Sequence, residues 1–149
     1  MLASAKSDCW SFSSLLAVLD CKVRNTPPQI AIVDDDEQVR EAIRGLMRST
    51  GFAVETFPSA IEFLRSSDCD RFACLIADVN MPEMSGFELY FRLSERDNVI
   101  PTILITAYPS NADCSRALGA GIIRYLAKPF VDADLLDGVR AALARDPPT

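Results

Sequence analysis

A short apolar run that stops abruptly at an aspartate is the feature that most constrains how this sequence can fold. Residues Ala73 to Ala77 are all apolar, and the run is too short to form a helix. Such a run is typical of a strand that is buried on both faces of a parallel sheet. Asp78 ends the run, and Met81-Pro82 then favours a turn, because a residue before proline avoids the helical region. Asp78 is therefore predicted at the carboxyl end of a central strand, where open α/β sheets bind ligands.

Three further segments with the pattern of a strand are followed by polar residues that could act together with Asp78. In chain order, residues 29–33 precede Asp34-Asp35-Asp36, residues 103–105 precede Thr106, and residues 122–127 precede Lys128. Taken singly, these residues have simpler interpretations, such as a turn aspartate, a helix cap or a surface lysine. Taken together, they put carboxylates, a hydroxyl and an ammonium group at one edge of the predicted sheet. That combination suits Mg²⁺ and a phosphoryl group.

At these residues the sequence resembles the receiver domain of two-component response regulators. The motifs that carry the resemblance are Val33-Asp34-Asp35-Asp36, Asp78-Val79-Asn80-Met81-Pro82-Glu83-Met84-Ser85-Gly86, Ile105-Thr106-Ala107 and Lys128-Pro129-Phe130. They occur in the order of that family and cover roughly residues 29–144. The resemblance implies a cytoplasmic signalling module. It would not be an enzyme, because it would assist only its own phosphorylation and dephosphorylation.

The resemblance also implies how the acidic residues would take up a phosphoryl group. Asp78 would be the phosphoacceptor and would become an aspartyl phosphate. Mg²⁺ would be bound directly by Asp35, Asp78 and the main-chain carbonyl of Asn80, and by Asp34 mostly through a water molecule. Clustered carboxylates repel one another without a cation, which is a physical reason to expect affinity for a metal. Asp36 receives no role.

The remaining motif residues are implied to bind the phosphoryl group and to switch. Lys128 would pair with Asp78 in the free state and with a phosphoryl oxygen afterwards, and the peptide bond that follows it is expected to be cis. Thr106, with its neighbour Ala107, would bind the phosphoryl group and move inward. Tyr125 would then turn into the vacated space. From spacing alone, Tyr125 could equally be a half-exposed aromatic on an edge strand.

Alternating strand and helix patterns predict the fold class. Strands are predicted at residues 29–33, 53–57, 73–77, 99–106 and 122–126, and helices at about 37–49, 59–65, 85–95 and 110–118, with a fifth helix capped by Asp132. Five such units imply an α/β, doubly wound, five-stranded parallel sheet surrounded by five helices. The family resemblance implies the flavodoxin-like strand order 2-1-3-4-5. The third helix is expected to bury Phe87, Tyr90, Phe91 and Leu93.

The domain division follows from the prolines and from the ends of these patterns. Residues 1–28 are predicted to be a flexible or helical extension, residues 29–144 the receiver domain, and residues 145–149 a tail or linker. Within the extension, residues 10–19 are partly apolar but too short to span a bilayer. A signal peptide is the rival interpretation, but Asp8 lies where basic residues are usual and no typical cleavage site follows.

Composition excludes several classes of function. The chain contains no histidine, which rules out a Ser-His-Asp triad, a histidine-ligated metal and a phosphohistidine donor within this chain. The phosphoryl source would therefore be a separate sensor histidine kinase. A net charge of −6 without a basic run argues against direct nucleic-acid binding. Five cysteines at irregular spacing are typical of unpaired thiols in a reducing cytoplasm.

Two other functions stay open on the sequence. A Mg²⁺-dependent phosphatase of the haloacid-dehalogenase class would use Asp34 and Asp36, although Gln38 stands where that class has threonine or valine, and Asp78 is left unexplained. The second open function is a receiver-like binding module that is never phosphorylated. For the signalling module, the output would be the face of the fourth helix, fifth strand and fifth helix, through a homodimer or another partner. The kinase, the pathway and the phosphate lifetime are not indicated.

Overall fold

The protein is a parallel α/β sheet surrounded by helices, seen in a computed structural model that describes residues 27–66, 71–96 and 99–144. The strands are β1 Gln29–Val33, β2 Ala53–Phe57, β3 Cys74–Asp78, β4 Thr102–Thr106 and β5 Arg124–Ala127. The helices are α1 Glu37–Ser49, α2 Ala60–Arg65, α3 Gly86–Glu95, α4 Asn111–Gly119 and α5 Asp132–Ala144. All neighbouring strands are parallel and lie in the order β2-β1-β3-β4-β5, which confirms the predicted fold class and topology. The predicted extension and tail lie almost wholly outside the described residues.

The sheet has an apolar core on each face. Successive strand residues point to opposite faces, so Ile30 and Ile32 of β1 join one core while Ala31 and Val33 join the other. Helices α1 and α5 cover the first core, and α2, α3 and α4 cover the second. Strands β3 and β4 are buried along their whole length. The polar ends of these strands are therefore held by a rigid apolar scaffold.

Helix starts largely follow the capping signals. The Ser85 hydroxyl accepts the Glu88 N–H while the Glu88 carboxylate accepts the Ser85 N–H, which completes the predicted capping box of α3. The predicted cap of α5 is wrong by one residue. The Val131 carbonyl already accepts the N–H groups of Asp134 and Leu135, so Asp132 lies inside the first turn.

Two predicted strands are too long, and one predicted core residue is exposed. Strand β4 begins at Thr102, after Pro101, which has no N–H to donate to a ladder. Strand β5 begins at Arg124, and the N–H of Ile122 donates instead to the Ala117 carbonyl at the end of α4. In α3, Phe91 is 37% exposed and Leu89 is fully buried instead, because the buried face contains residues at helical spacings of three and four.

Throughout the described part of the chain, none of the helices combines the length and the apolar character that crossing a membrane would require.

Candidate functional site

Four segments that are distant in the sequence meet at the carboxyl edge of the sheet. Asp78 and Thr106 are the last residues of β3 and β4, while Asp34 and Lys128 directly follow β1 and β5. Asp34, Asp78 and Thr106 are buried, and Asp35 beside them is exposed. The parallel topology alone brings these groups to one edge, because every strand runs in the same direction.

The three acidic residues form a cluster that could hold a metal ion. Asp34, Asp35 and Asp78 each offer one carboxylate oxygen, and these oxygens all lie within 4.8 Å of one another. Carboxylate oxygens are the hard ligands that Mg²⁺ prefers. The predicted metal-binding carboxylates are thus brought together, and their donor set fits Mg²⁺.

Asp34 is held in place by its neighbours. One carboxylate oxygen accepts the N–H of Asp36 at 2.9 Å, and the other accepts the Lys128 ammonium at 3.1 Å. The main-chain carbonyl of Asp34 accepts the Arg40 guanidinium at 2.7 Å. Asp36 is instead the N-cap of α1, because its carboxylate accepts the N–H groups that start this helix. The carboxylate of Asp36 therefore has a structural explanation. The sequence feature that could have predicted this role is the position of Asp36 directly before the helical pattern.

Lys128 bridges the two buried carboxylates. Its ammonium nitrogen lies 3.1 Å from Asp34 and 3.6 Å from Asp78. The pairing with Asp78 was expected, whereas the closer contact with Asp34 was not. Burial lowers the pKa of Lys128, but the hydrogen bond and charge of Asp34, with the charge of Asp78, outweigh it and raise that pKa. The lysine therefore stays charged, and its peptide bond to Pro129 is cis, as the resemblance implied.

Asp78 is a carboxylate whose surroundings oppose its negative charge. Burial raises the pKa of Asp78 to about 6, and the negative charges of Asp34 and Asp35 act in the same direction. Lys128 and the N–H of Asn80 oppose this shift without cancelling it. Extra positive charge at the cluster would therefore favour the ionised form of Asp78.

Metal-free protein is expected to lose stability, relative to an Asp78→Asn variant, as the pH rises from about 4 to about 6. Below this window both the folded and the unfolded chain hold the Asp78 proton, so ionisation of this group does not change the free energy of unfolding. Within it, the unfolded chain releases the proton while the folded chain retains it, which favours unfolding. Above it, the ionised Asp78 carboxylate lowers the free energy of unfolding by on the order of 2 kcal/mol, once the shift in pKa is discounted for screening by solvent. Urea denaturation in the presence of a chelator measures the free energy of unfolding of both proteins.

Excess Mg²⁺ supplies the control for this measurement. A cation that binds only the folded carboxylates stabilises the protein by mass action, and the wild type should gain more than Asp78→Asn. Parallel pH profiles for the two metal-free proteins would contradict the prediction.

Thr106 lies at the edge of the site but does not contact Asp78 through any hydrogen bond found among the described residues. Its hydroxyl donates to the side-chain oxygen of Asn80 at 2.7 Å and accepts the N–H of Tyr108 at 3.0 Å. Ala107, also predicted to belong to the site, is exposed. Tyr125 is half-buried, and its hydroxyl accepts the N–H of Ser110 at 3.3 Å.

Two structural requirements of the site were missed by the sequence reasoning. A Cβ atom on Gly86 would lie 2.6 Å from the main-chain oxygen of Asp78, so this position has no room for a side chain. Glu83 adopts a φ of 72°, which side chains rarely tolerate. Gly86 was recognised as part of a motif. Its close approach to Asp78 was not predicted, because the contact joins the two ends of the loop and the spacing of residues does not encode it.

The sequence matches a family model and several curated proteins. The family model described as "Response regulator receiver domain" matches residues 30–140. The response regulator protein TodT of Pseudomonas putida is 42% identical over 118 residues, which are 79% of this chain and 52% of TodT. Nodulation protein W of Bradyrhizobium diazoefficiens is 38% identical over 122 residues, which are 82% of this chain and 54% of that protein. The chain therefore spans about half the length of the curated relatives it matches.

Solved structures also match the fold of this chain. The crystal structure of FixJ-N matches with a TM-score of 0.73 and 30% identity, covering 83% of this chain and 99% of FixJ-N. A response regulator receiver protein from Burkholderia phymatum matches with a TM-score of 0.68 and 39% identity, covering 82% of this chain and 99% of that structure.

Proposed function

Because the chain belongs to the response regulator receiver domain family of two-component systems, we propose that it takes a phosphoryl group from a sensor histidine kinase onto Asp78. One observation carries this proposal. The nearly buried Asp78 carboxylate lies beside two further carboxylates and 3.6 Å from the Lys128 ammonium. In this reading the receiver domain comprises residues 29–144, within which the family match at residues 30–140 falls.

In the proposed reaction an Asp78 oxygen attacks the phosphorus atom of a phosphohistidine. The new O–P bond forms as the N–P bond breaks, and the electron pair of the broken bond returns to the imidazole of the kinase. Lys128 lies 3.6 Å from Asp78, and its ammonium group would pair with a phosphoryl oxygen. Bound Mg²⁺ would neutralise the charge of the attacking carboxylate and of the incoming group, held by Asp34, Asp35, Asp78 and the main-chain carbonyl of Asn80.

The proposed output is a change in the face formed by α4, β5 and α5. The Thr106 hydroxyl would move to the phosphoryl group, with Ala107 at its side, and Tyr125 would turn inward after it. A groove of about 520 Å³ along this face is lined in part by Ser110 and Tyr125, so a movement of Tyr125 would change its shape. The groove supports an output by homodimerisation or by docking of another partner.

The remaining proposals concern the setting in which the domain works. We place it in the cytoplasm, which agrees with the free thiols of Cys74 and Cys114 in the described residues. It is a signalling module that acts on its own aspartyl phosphate only. A negative net charge supports the absence of direct nucleic-acid binding by this chain.

The proposed function is tested by incubation with acetyl phosphate and Mg²⁺, followed by intact mass spectrometry and peptide mapping. We expect a mass gain of one phosphoryl group per chain, carried by the peptide that contains Asp78. Chelation of the metal should reduce the labelled fraction to background, because the uncompensated carboxylates repel the donor. Label on another residue, or uptake that is indifferent to the chelator, would overturn the proposal.

A further inference from the structure

The side chain of Asn80 makes a hydrogen bond that the proposed function does not use. Asn80 lies two residues after Asp78, and its side-chain oxygen accepts the Thr106 hydroxyl at 2.7 Å. Thr106 has an exposed fraction of 0%, whereas Asn80 is exposed. A buried hydroxyl is thus fixed by an amide that reaches it from the loop carrying the phosphoacceptor.

The direction of this hydrogen bond follows from its acceptor, because the side-chain oxygen of Asn80 cannot donate. The N–H of Tyr108 donates to the same Thr106 hydroxyl oxygen at 3.0 Å. The hydroxyl hydrogen therefore points at Asn80, and one lone pair of the oxygen is taken by Tyr108. A hydroxyl has a single hydrogen, so Thr106 cannot donate fully to Asn80 and to a phosphoryl oxygen at the same time.

The contact between Thr106 and Asn80 lies close to the start of α4. Tyr108 is two residues before Ser110, whose hydroxyl caps α4 by accepting the N–H of Asp113 at 3.0 Å. The N–H of Ser110 donates to the Tyr125 hydroxyl at 3.3 Å. The position of the Thr106 hydroxyl thus connects through a short loop to the aromatic side chain of β5.

We propose that Asn80 is a positioning residue that holds the Thr106 hydroxyl in the unphosphorylated protein and thereby opposes the switch. The inference rests on the proposed function, because the competing acceptor is the phosphoryl group on Asp78. Binding of Thr106 to that group breaks the hydrogen bond to Asn80, so the strength of this bond sets how completely phosphorylation switches the β4–α4 loop. The main-chain carbonyl of Asn80 is separate from this role and stays available to a metal.

The test compares wild-type protein with Asn80→Ala, using the amide signal of Ser110 in two-dimensional NMR spectra. Acetyl phosphate with Mg²⁺ defines the signal position of the phosphorylated wild type. Without phosphodonor, Asn80→Ala is expected to move the Ser110 signal part of the way towards that position. The population of the switched form should rise about fivefold, the factor that one net hydrogen bond contributes.

Two further variants separate positioning from a general structural effect. Asn80→Asp keeps an acceptor oxygen at the same place, so its Ser110 signal should lie closer to the wild-type position than that of Asn80→Ala. In a Thr106→Val background, which has no hydroxyl, Asn80→Ala should cause no further displacement. The proposal is overturned if Asn80→Ala leaves Ser110 unmoved, if Asn80→Asp moves it as far, or if the Thr106→Val background shows the same displacement.

The failure of this inference can be told apart from the failure of the proposed function. If acetyl phosphate leaves Asp78 unlabelled in the wild type, the proposed function is wrong. The non-additivity of the Asn80 and Thr106 variants is measured in protein that carries no phosphoryl group. It therefore still decides whether Asn80 holds Thr106.

Discussion

Replacement of Asp78 with asparagine is expected to abolish stable phosphoryl uptake from acetyl phosphate. The amide oxygen is a far weaker nucleophile than a carboxylate, and the variant also removes one of the three carboxylates around the metal position. The fold should be retained, because asparagine has nearly the same shape and the metal-free variant is expected to be more stable than the wild type near neutral pH. Intact mass spectrometry after incubation with acetyl phosphate and Mg²⁺ measures the labelled fraction, which should fall to background.

Asp36→Asn is the matched control for this result. Asp36 is exposed and caps α1, and asparagine caps a helix as well as aspartate does. The signalling function therefore predicts near-normal uptake in this variant. A haloacid-dehalogenase phosphatase would depend on Asp34 and Asp36, so it predicts the reverse pattern. Hydrolysis of para-nitrophenyl phosphate that persists in Asp78→Asn but is lost in Asp36→Asn would favour the phosphatase and contradict the signalling function.

The convergence of the site could be predicted because it depends on strand direction alone. A parallel sheet brings every strand end to one edge, so Asp78, Thr106 and Lys128 could be grouped once the apolar runs before them were recognised. The strand order came from the family resemblance and not from periodicity. Strand limits were less predictable, since the N–H of Ile122 donates to the end of α4 and β5 begins only at Arg124.

The contacts within the site depend on side-chain directions that spacing does not encode. Lys128 lies closer to Asp34 than to Asp78 because both carboxylates are within reach and only the folded loops decide between them. The hydrogen bond from Thr106 to Asn80 joins residues that are 26 positions apart, and neither has a local sequence signal for it. The exposure of Phe91 was missed for a similar reason. An aromatic residue that lies beside the buried face of a helix does not have to be part of that face.

Replacement of Gly86 with alanine is expected to destabilise the protein by about 2–3 kcal/mol and to slow phosphoryl uptake. The added Cβ would lie 2.6 Å from the main-chain oxygen of Asp78 and 3.0 Å from a methyl carbon of Leu104. The first of these is backbone at the end of a central strand and cannot rotate away. Either α3 or the end of β3 must therefore shift, and both carry the loop that holds Asp78. Urea denaturation gives the free energy of unfolding, and mass spectrometry gives the uptake rate.

Gly45→Ala separates this effect from the ordinary consequence of exchanging glycine for alanine. Gly45 lies on the exposed side of α1, and a Cβ there would meet no atom within 4 Å. Alanine favours a helix interior over glycine by roughly 0.5–1 kcal/mol, so this variant should be stabilised by about that amount with uptake unchanged. The two substitutions are chemically identical and differ only in what surrounds the new methyl group. An equal change in stability for both would mean that the close approach of α3 to Asp78 places no constraint on the site.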